Sequence, residues 1–313
     1  MSYRLGMRCS SLVALLGMLV MSLAPPLAGC SSEDPSLIGG GASSGGDSGG
    51  GGTGEGGTES GLSAGTDGGQ GPGKDGGTPS TGSSKPNCKF AAHKTGLTQL
   101  QQAGGGLSFN VYAPTSYDPQ VGHTVVVLMH GQDSNGVAEL TALWKPIADD
   151  PTQQLVVVAP KGSRPATNND PAGANWATAD LDKILTLMTE IDDCYDVFPK
   201  KHILWGFSEG CFYGYLLGIG AADRFSGLAM GGANTSFARQ NGYEPSSATW
   251  KIPVSDVHGT ADPLNAISLT YQDKADFIAA GHVFTLHEHP GGHTISAEQV
   301  RMQYDDLKAS TSP

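Results

Sequence analysis

The sequence from residue 87 to residue 313 predicts an α/β fold, in which a mostly parallel sheet carries helices on both faces. Residues 124–129 (T-V-V-V-L-M) and 155–159 (L-V-V-V-A) are continuous β-branched and apolar runs, a pattern typical of strands buried on both faces. Predicted strands and helices alternate along the rest of this region. Because ligands of such sheets bind at the carboxyl ends of the strands, the residues that follow each strand are the candidates for chemistry.

The other elements follow from hydrophobic periodicity. An alternation of apolar and polar residues predicts an outer strand over 107–113. Further strands are predicted over 202–206, 225–230, 252–257 and 283–287. Helical spacing of apolar residues predicts helices over 179–191, 209–219, 271–280 and 297–307, with Gly281 positioned to end the third of them.

Glycine separates this region from what precedes it. Residues 39–82 contain 21 of the 46 glycines, with no regular G-x-y period that would indicate collagen. Residues 31–86 offer almost no large apolar side chains, so they cannot bury enough surface to offset the entropy of ordering. The sequence therefore predicts a flexible linker over 30–86 and a single folded domain over 87–313, which is the candidate catalytic domain.

Residues 1–29 have the three parts of an export signal. Arg4 and Arg8 provide positive charge, residues 12–24 are apolar, and L-A-G-C occupies 27–30. This arrangement resembles the signal peptide of bacterial lipoproteins. The resemblance implies cleavage before Cys30, lipid acylation of Cys30, and an extracytoplasmic protein anchored to the outer membrane. A plain signal peptide or a short membrane anchor is the alternative.

Charge and cysteine content indicate which partners and which cellular compartment fit the chain. The net charge is −12, and no basic cluster appears, which argues against a nucleic-acid partner. After export and lipidation, Cys88, Cys194 and Cys211 remain, which predicts one disulfide and one free thiol outside the cytosol. Pairing of Cys88 with Cys194 and of Cys194 with Cys211 both fit the sequence.

A candidate nucleophile lies between a predicted strand and a predicted helix. Residues 206–210 read G-F-S-E-G, and the flanking glycines permit a tight turn that exposes the Ser208 hydroxyl at the end of the sheet. The alternative is a serine in an ordinary strand-to-helix turn. A serine needs a base, and His293 ends the H-P-G-G-H segment that follows the last predicted strand.

Asp262 ends the H-G-T-A-D segment after the preceding strand, where a carboxylate can orient the imidazole of His293. The chain order Ser208, Asp262, His293 is the order of α/β-hydrolases. His258 is interpreted as structural, fixing the turn before the acid. Asp256 is a weaker rival for the acid because it falls within the strand.

Two backbone N–H groups are expected to stabilise the oxyanion. One belongs to Glu209, directly after the nucleophile. The other is assigned to Gln132, in the H-G-Q-D-S-N-G segment at 130–136, where Gly131 lets the backbone bend inward. The Glu209 side chain is expected to face solvent or to cap the helix N-terminus.

A metal site is a disfavoured alternative. His287 and His289 alternate along a strand and could join His293, but no fourth ligand occurs at useful spacing. The sequence therefore predicts neither a metal ion nor an organic cofactor.

The chain resembles α/β-hydrolase esterases of the polyhydroxybutyrate depolymerase and feruloyl or acetylxylan esterase group. The resemblance rests on F-N-V-Y-A-P-T-S-Y-D at 109–118, V-V-V-L-M-H-G at 125–131 and H-I-L-W-G-F-S-E-G at 202–210, with H-G-T-A-D and G-G-H later in the chain. It implies an α/β-hydrolase fold and hydrolysis of carboxylic esters through an acyl-enzyme without a cofactor. Gln132 and Glu209 depart from the pattern, since many members have a cysteine after H-G and a smaller residue after the serine.

Two long loops, 162–176 and 234–250, are expected to shape the pocket. They supply four candidate pocket aromatics: Trp176, Phe237, Tyr243 and Trp250. The sequence thus predicts a lipid-anchored serine esterase that acts on a small-molecule or polymer ester, such as feruloyl or acetyl esters on polysaccharide or a polyhydroxyalkanoate, and touches the membrane only through its anchor. The alternatives are a general carboxylesterase or phospholipase-like hydrolase, and a non-catalytic surface-binding lipoprotein on the same fold.

Overall fold

The computed structural model describes Lys85, residues 87–90 and residues 94–313. The predicted signal peptide, the predicted lipidation site at Cys30 and, apart from Lys85, the predicted linker lie outside the described residues. Within the described part of the chain, none of the helices combines the length and the apolar character needed to cross a membrane.

Ten strands occur in the described region. They are β1 (Gly96–Gln101), β2 (Ser108–Ala113), β3 (His123–Met129), β4 (Leu155–Pro160), β5 (Arg164–Pro165), β6 (Ala174–Asn175), β7 (Val197–Phe207), β8 (Gly227–Gly231), β9 (Val254–Gly259) and β10 (Phe284–His289). Eight of them form one sheet in the order β1-β2-β4-β3-β7-β8-β9-β10, and β5 pairs with β6 in a small separate hairpin. Strand β2 runs antiparallel to both β1 and β4, whereas all pairs from β4 to β10 are parallel. The predicted mostly parallel sheet is confirmed.

Helices cover both faces of this sheet. They are α1 (Val137–Glu139), a π-helical turn (Leu140–Trp144), α2 (Lys145–Ala148), α3 (Asp180–Asp192), α4 (Glu209–Gly220), α5 (Ser236–Gln240), α6 (Ile267–Ala279) and α7 (Ala297–Leu307), with short 3₁₀ turns at Ala103–Gly105, Ala222–Arg224 and Pro245–Ser247. Val125 and Val127 of β3 belong to the core that includes side chains of α3, α4 and α6. Val126 and Leu128 belong to the opposite core, with side chains of α7 and the 137–148 segment. Burial on both faces explains why β3 has no polar alternation.

Most predicted elements are present, with shifted ends. Helix α7 has the predicted bounds, while α6 begins four residues earlier than predicted and β7 extends well beyond 202–206. Strand β1 and the helical segment 137–148 were not predicted. Alternate residues of β1 are exposed at the sheet edge, and Leu97 itself is exposed, so its apolar signal is weak. The 137–148 segment contains Pro146 and a π-helical turn, which disturb the 3.6-residue period.

The disulfide alternatives are resolved by the structure. Cys88 is bonded to Cys194, which follows α3, and Cys211 is a free, buried thiol on α4. The bond links residues 106 positions apart, so it ties the segment before β1 to the helical layer.

Removing this disulfide should destabilise the domain. A crosslink that closes a loop of this length restricts the unfolded chain strongly, and loss of such a bond typically costs about 2–5 kcal/mol. We expect the Cys88→Ala/Cys194→Ala double variant to show that decrease in the free energy of unfolding, measured by urea titration. Reductant should lower the stability of the wild-type protein and leave the double variant unchanged. A similar response of both proteins to reductant would contradict this assignment.

Candidate active site

Ser208 lies in the turn between β7 and α4. Its backbone has φ 57° and ψ −122°, a conformation that residues other than glycine rarely adopt. Its N–H donates to the Gly231 carbonyl of the neighbouring strand β8 at 3.0 Å. The turn therefore has the strained geometry that projects a nucleophilic side chain from the end of a strand.

The two glycines of the turn are required by close backbone contacts. A Cβ on Gly206 would lie 2.4 Å from the Gly210 carbonyl oxygen, and a Cβ on Gly210 would lie 2.0 Å from the Met129 carbonyl oxygen. Helix α4 thus packs directly against the end of β3. At Gly131 a Cβ would meet only ordinary contacts of 3.7 Å, one of them with the Cβ of Ser208.

Gly210→Ala should disrupt the fold much more than Gly131→Ala. The added methyl group at Gly210 meets backbone atoms, which cannot move aside as a flexible side chain can. We expect a loss of about 3 kcal/mol, the upper end of the usual cost of overpacking. We expect Gly131→Ala to cost less than about 1 kcal/mol. Urea unfolding of the two variants provides the measurement, and equal stabilities would contradict the packing argument.

The structure brings together the three side chains of the predicted triad. Ser208 Oγ lies 2.8 Å from His293 Nε2, and His293 Nδ1 lies 2.8 Å from Asp262 Oδ2. The carboxylate fixes the proton on Nδ1, so Nε2 is the acceptor for the serine hydroxyl. The Asp262 side chain is fully shielded from solvent, and that of His293 is 16% exposed. The arrangement can transfer the serine proton to the imidazole.

Asp262 is held ionised by its turn. Its Oδ1 accepts hydrogen bonds from the N–H groups of Leu264 at 2.8 Å and Asn265 at 2.9 Å. Burial alone raises the pKa of Asp262, but these N–H groups and His293 outweigh it, so the pKa lies below its ordinary value. A carboxylate that stays ionised can stabilise the imidazolium that forms when His293 accepts a proton.

The rival residues form their hydrogen bonds with other groups. His258 is buried, with Nε2 at 2.9 Å from the Asn265 carbonyl oxygen and Nδ1 at 2.9 Å from the Thr270 hydroxyl, so it supports the turn after β9. Its Nε2 lies 3.6 Å from Asp262 Oδ2, farther than the 2.8 Å that separates His293 from the same oxygen. Asp256 is buried within β9 and accepts a hydrogen bond from the Tyr215 hydroxyl at 2.5 Å. Burial raises the pKa of Asp256 well above its ordinary value.

The histidines of the metal alternative are also engaged elsewhere. His287 Nε2 lies 2.7 Å from a carboxylate oxygen of Asp306, and His289 Nδ1 accepts from the Gly291 N–H at 3.1 Å. Among the residues that the structure describes, no three His, Cys, Asp or Glu side chains form a group suited to hold a metal ion.

The hydrogen bonds of the residues beside Gln132 leave its N–H free for an oxyanion. The Gly131 N–H donates to Glu139 Oε1 at 3.3 Å, and the Asp133 N–H donates to Asn175 Oδ1 at 2.9 Å. Among the hydrogen bonds of the described residues, none uses the Gln132 N–H. Glu209 is the first residue of α4, so its N–H has no acceptor within the helix. The predicted donors are thus both uncommitted, and Gly131 lies beside Ser208, so the loop that carries Gln132 borders the nucleophile.

The Glu209 side chain does not have the predicted orientation. It is 16% exposed and folds towards the β5–β6 hairpin, where its carboxylate lies 3.2 Å from the Arg164 guanidinium and 3.4 Å from the Trp176 N–H. Burial raises the pKa of Glu209, although Trp176 N–H and Arg164 oppose this shift. Arg164 was not identified from the sequence, since a lone arginine in a long polar loop gives no signal of this pairing.

The structure places three of the four predicted pocket aromatics in packing contacts. Trp176 is fully buried, stacks on the His130 ring and donates its indole N–H to the His130 carbonyl. It therefore supports the start of the loop that carries Gln132. Tyr243 packs beside Gly220, and Trp250 donates to the Ala222 carbonyl. These contacts lie at the far end of α4, about 18 Å along the helix from Ser208.

Phe237 is the remaining aromatic candidate. It is half-buried and packs on Tyr213, with ring centroids 4.6 Å apart, against the second turn of α4. Tyr213 was not singled out from the sequence. The pair lies at the end of α4 that carries Ser208.

No family model and no curated protein matches the chain in sequence. Solved structures do match in fold. A thermostable esterase has 14% identity over 69% of this chain and 62% of its own, with a TM-score of 0.52. A CE1 ferulic acid esterase from Anaeromyces mucronatus has 16% identity over 71% of this chain and 92% of its own, with a TM-score of 0.51. Porphyromonas gingivalis dipeptidyl peptidase 4 has 15% identity over 68% of this chain and 36% of its own, with a TM-score of 0.50.

These identities show the fold and not the reaction. The eight-stranded, mostly parallel sheet with helices on both faces and the match to these esterase structures fit the same fold class. The chain has an α/β-hydrolase fold.

Proposed function

We propose that this protein is a serine esterase that hydrolyses carboxylic esters through an acyl-enzyme. The observation that carries the proposal is the continuous hydrogen-bonded series from Ser208 through His293 to Asp262, with both links at 2.8 Å. Ser208 Oγ attacks the ester carbonyl while His293 Nε2 accepts its proton. The N–H groups of Gln132 and Glu209 receive the developing oxyanion.

The same groups complete acylation and then carry out deacylation. His293 returns the proton to the leaving alcohol as the ester C–O bond of the first tetrahedral intermediate breaks, which leaves an acyl group on Ser208. Water then enters, His293 removes one of its protons, and the oxygen attacks the acyl carbonyl. Collapse of the second tetrahedral intermediate releases the carboxylic acid and returns the proton to Ser208 Oγ. Asp262 stays ionised throughout and stabilises the charged imidazole.

Ester hydrolysis is favoured over peptide hydrolysis by the extent of the matched domains. The chain aligns with 92% of the feruloyl esterase, whereas it aligns with only 36% of the dipeptidyl peptidase. The matched part of this chain therefore spans nearly the whole length of that esterase. We propose feruloyl or acetyl esters on polysaccharide, or a polyhydroxyalkanoate, as the substrate class, on the basis of the motif resemblance.

A fluorophosphonate probe tests the reaction class directly, because it reacts with activated serines. We expect labelling of the wild-type protein and none of Ser208→Ala. Hydrolysis rates on p-nitrophenyl acyl esters, methyl ferulate, acetylated xylan and polyhydroxybutyrate then distinguish the substrate classes. A folded wild-type protein that neither labels nor hydrolyses any of these esters would overturn the proposal and favour the binding-lipoprotein alternative.

We also propose that the domain is exported and held at the outer membrane by lipid on Cys30. The Cys88–Cys194 disulfide supports export, because such bonds persist in oxidising compartments. Expression in a Gram-negative host with labelled palmitate should give a labelled protein in the outer-membrane fraction. Cys30→Ser should abolish the palmitate label and remove the protein from the outer-membrane fraction. Unlabelled wild-type protein in the soluble periplasm would contradict the anchor.

A further inference from the structure

The residue after Gln132 has an unusual backbone conformation. Asp133 has φ 60°, in the left-handed region that residues other than glycine seldom occupy. Asp and Asn tolerate this region better than most residues, because their short polar side chains form local hydrogen bonds. The conformation is therefore maintained by the contacts that Asp133 makes.

The Asp133 side chain is bound to the loop of the β5–β6 hairpin. Its carboxylate accepts hydrogen bonds from the Thr167 N–H at 2.6 Å, the Thr167 hydroxyl at 2.6 Å and the Asn175 amide at 2.9 Å. In return, the Asp133 N–H donates to Asn175 Oδ1 at 2.9 Å. The Thr167 hydroxyl contributes most to holding the pKa of Asp133 below its ordinary value, so the carboxylate is ionised at neutral pH.

The same threonine also holds Gln132. The Gln132 side-chain amide donates to Thr167 Oγ1 at 3.1 Å, so one hydroxyl connects the residue with the free N–H to the residue after it. One position further, the Ser134 carbonyl accepts from the Ala174 N–H of β6 at 2.8 Å.

A second carboxylate fixes the loop from α1. Glu139 accepts from the Gly131 N–H at 3.3 Å and from the Ser134 hydroxyl at 2.8 Å. The N–H groups of Gly131 and Asp133, on either side of Gln132 in the sequence, are thus held by side chains, while the Gln132 N–H itself is left uncommitted.

We propose that Asp133 and Thr167 are positioning residues that aim the Gln132 N–H at the oxyanion. This inference rests on the proposed esterase function and extends it to residues that do not touch the substrate. An oxyanion donor is effective when it is oriented before the charge develops, and complete loss of one donor lowers kcat by about 10²–10³-fold. Misorientation of a donor that remains present should therefore cost a smaller factor.

The test compares two disabling variants with their conservative counterparts. We expect Asp133→Ala to lower kcat by about 10–50-fold and Thr167→Val by about 5-fold, a part of the full donor effect. Thr167→Ser should restore most of the activity because it keeps the hydroxyl. Asp133→Asn should be intermediate, since it tolerates the left-handed backbone and accepts from the Thr167 N–H but cannot also accept from the Thr167 hydroxyl. Thr186→Val, an exposed threonine on α3, is the matched control.

Binding of an alkyl boronic acid separates positioning from a merely structural role, because its serine adduct resembles the tetrahedral intermediate. The Ki of this inhibitor should rise by the same factor by which kcat/KM falls, while KM stays within about twofold. The inference is overturned if kcat of Asp133→Ala stays within twofold of wild type, or if kcat falls while the boronate Ki is unchanged. An inactive wild-type protein would overturn the proposed function itself, which the wild-type assay reports independently of any variant.

Discussion

Ser208→Ala is expected to lower kcat on a p-nitrophenyl ester by about 10⁶-fold, the scale measured when a serine hydrolase loses its nucleophile. The alanine methyl group cannot form the acyl-enzyme, and His293 then has no hydroxyl to deprotonate. The remaining rate would come from substrate binding and from the N–H groups of Gln132 and Glu209 acting on direct attack by water.

Stopped-flow or initial-rate kinetics with purified protein measure kcat of the variant and of the wild type. Circular dichroism shows whether the variant is folded. Ser163→Ala is the matched control, because Ser163 is an exposed serine that precedes the β5–β6 hairpin close to Glu209. The control should keep kcat within about twofold of wild type. If Ser208→Ala kept more than about one hundredth of the wild-type activity, another residue would have to be the nucleophile.

Asp262→Asn should have the second largest effect, a decrease in kcat of about 10⁴-fold, as found for the corresponding change in a serine protease. The amide N–H₂ can face His293 Nδ1 and donate to it, which leaves the proton on Nε2. A protonated Nε2 donates to Ser208 Oγ and cannot accept its proton. The side chain keeps its volume, so the loss reports the wrong tautomer rather than a cavity.

Asp256→Asn provides the matched control for this substitution. Asp256 lies six residues earlier, on β9, and is fully buried, and its replacement by asparagine keeps the volume of the side chain. We expect its kcat to remain within about twofold of wild type. Comparable losses in both aspartate variants would show that disturbance of β9, and not the His293 contact, explains the decrease.

The position of the site could be read from the sequence because each candidate follows a predicted strand. Ser208, Asp262 and His293 come directly after β7, β9 and β10, and parallel strands present their carboxyl ends at one edge of the sheet. Glycines indicated the tight turn after β7, since a side chain at Gly206 or Gly210 would clash with neighbouring backbone atoms. The three side chains therefore meet although 85 residues separate the first from the last.

The pocket aromatics were predicted less well. Aromatic residues in a long loop give the same signal whether they face a ligand or the core, and Trp176, Tyr243 and Trp250 all serve packing. The Glu209 side chain was assigned to solvent or to a helix cap because Arg164, its partner, is 45 residues away in sequence. Such pairings depend on loop geometry, for which the sequence has no periodic pattern.

The sequence by itself determined the α/β class, the strand-end positions of the catalytic candidates and the order in which they occur. These properties depend on local physics: burial on both faces demands continuous apolar strands, and tight turns demand glycine. Only the tertiary structure decided between the two disulfide pairings, placed the free N–H of Gln132 and joined Asp133 to Thr167. Each of these depends on the distance between atoms of remote segments, which is fixed only when the chain has packed around its sheet.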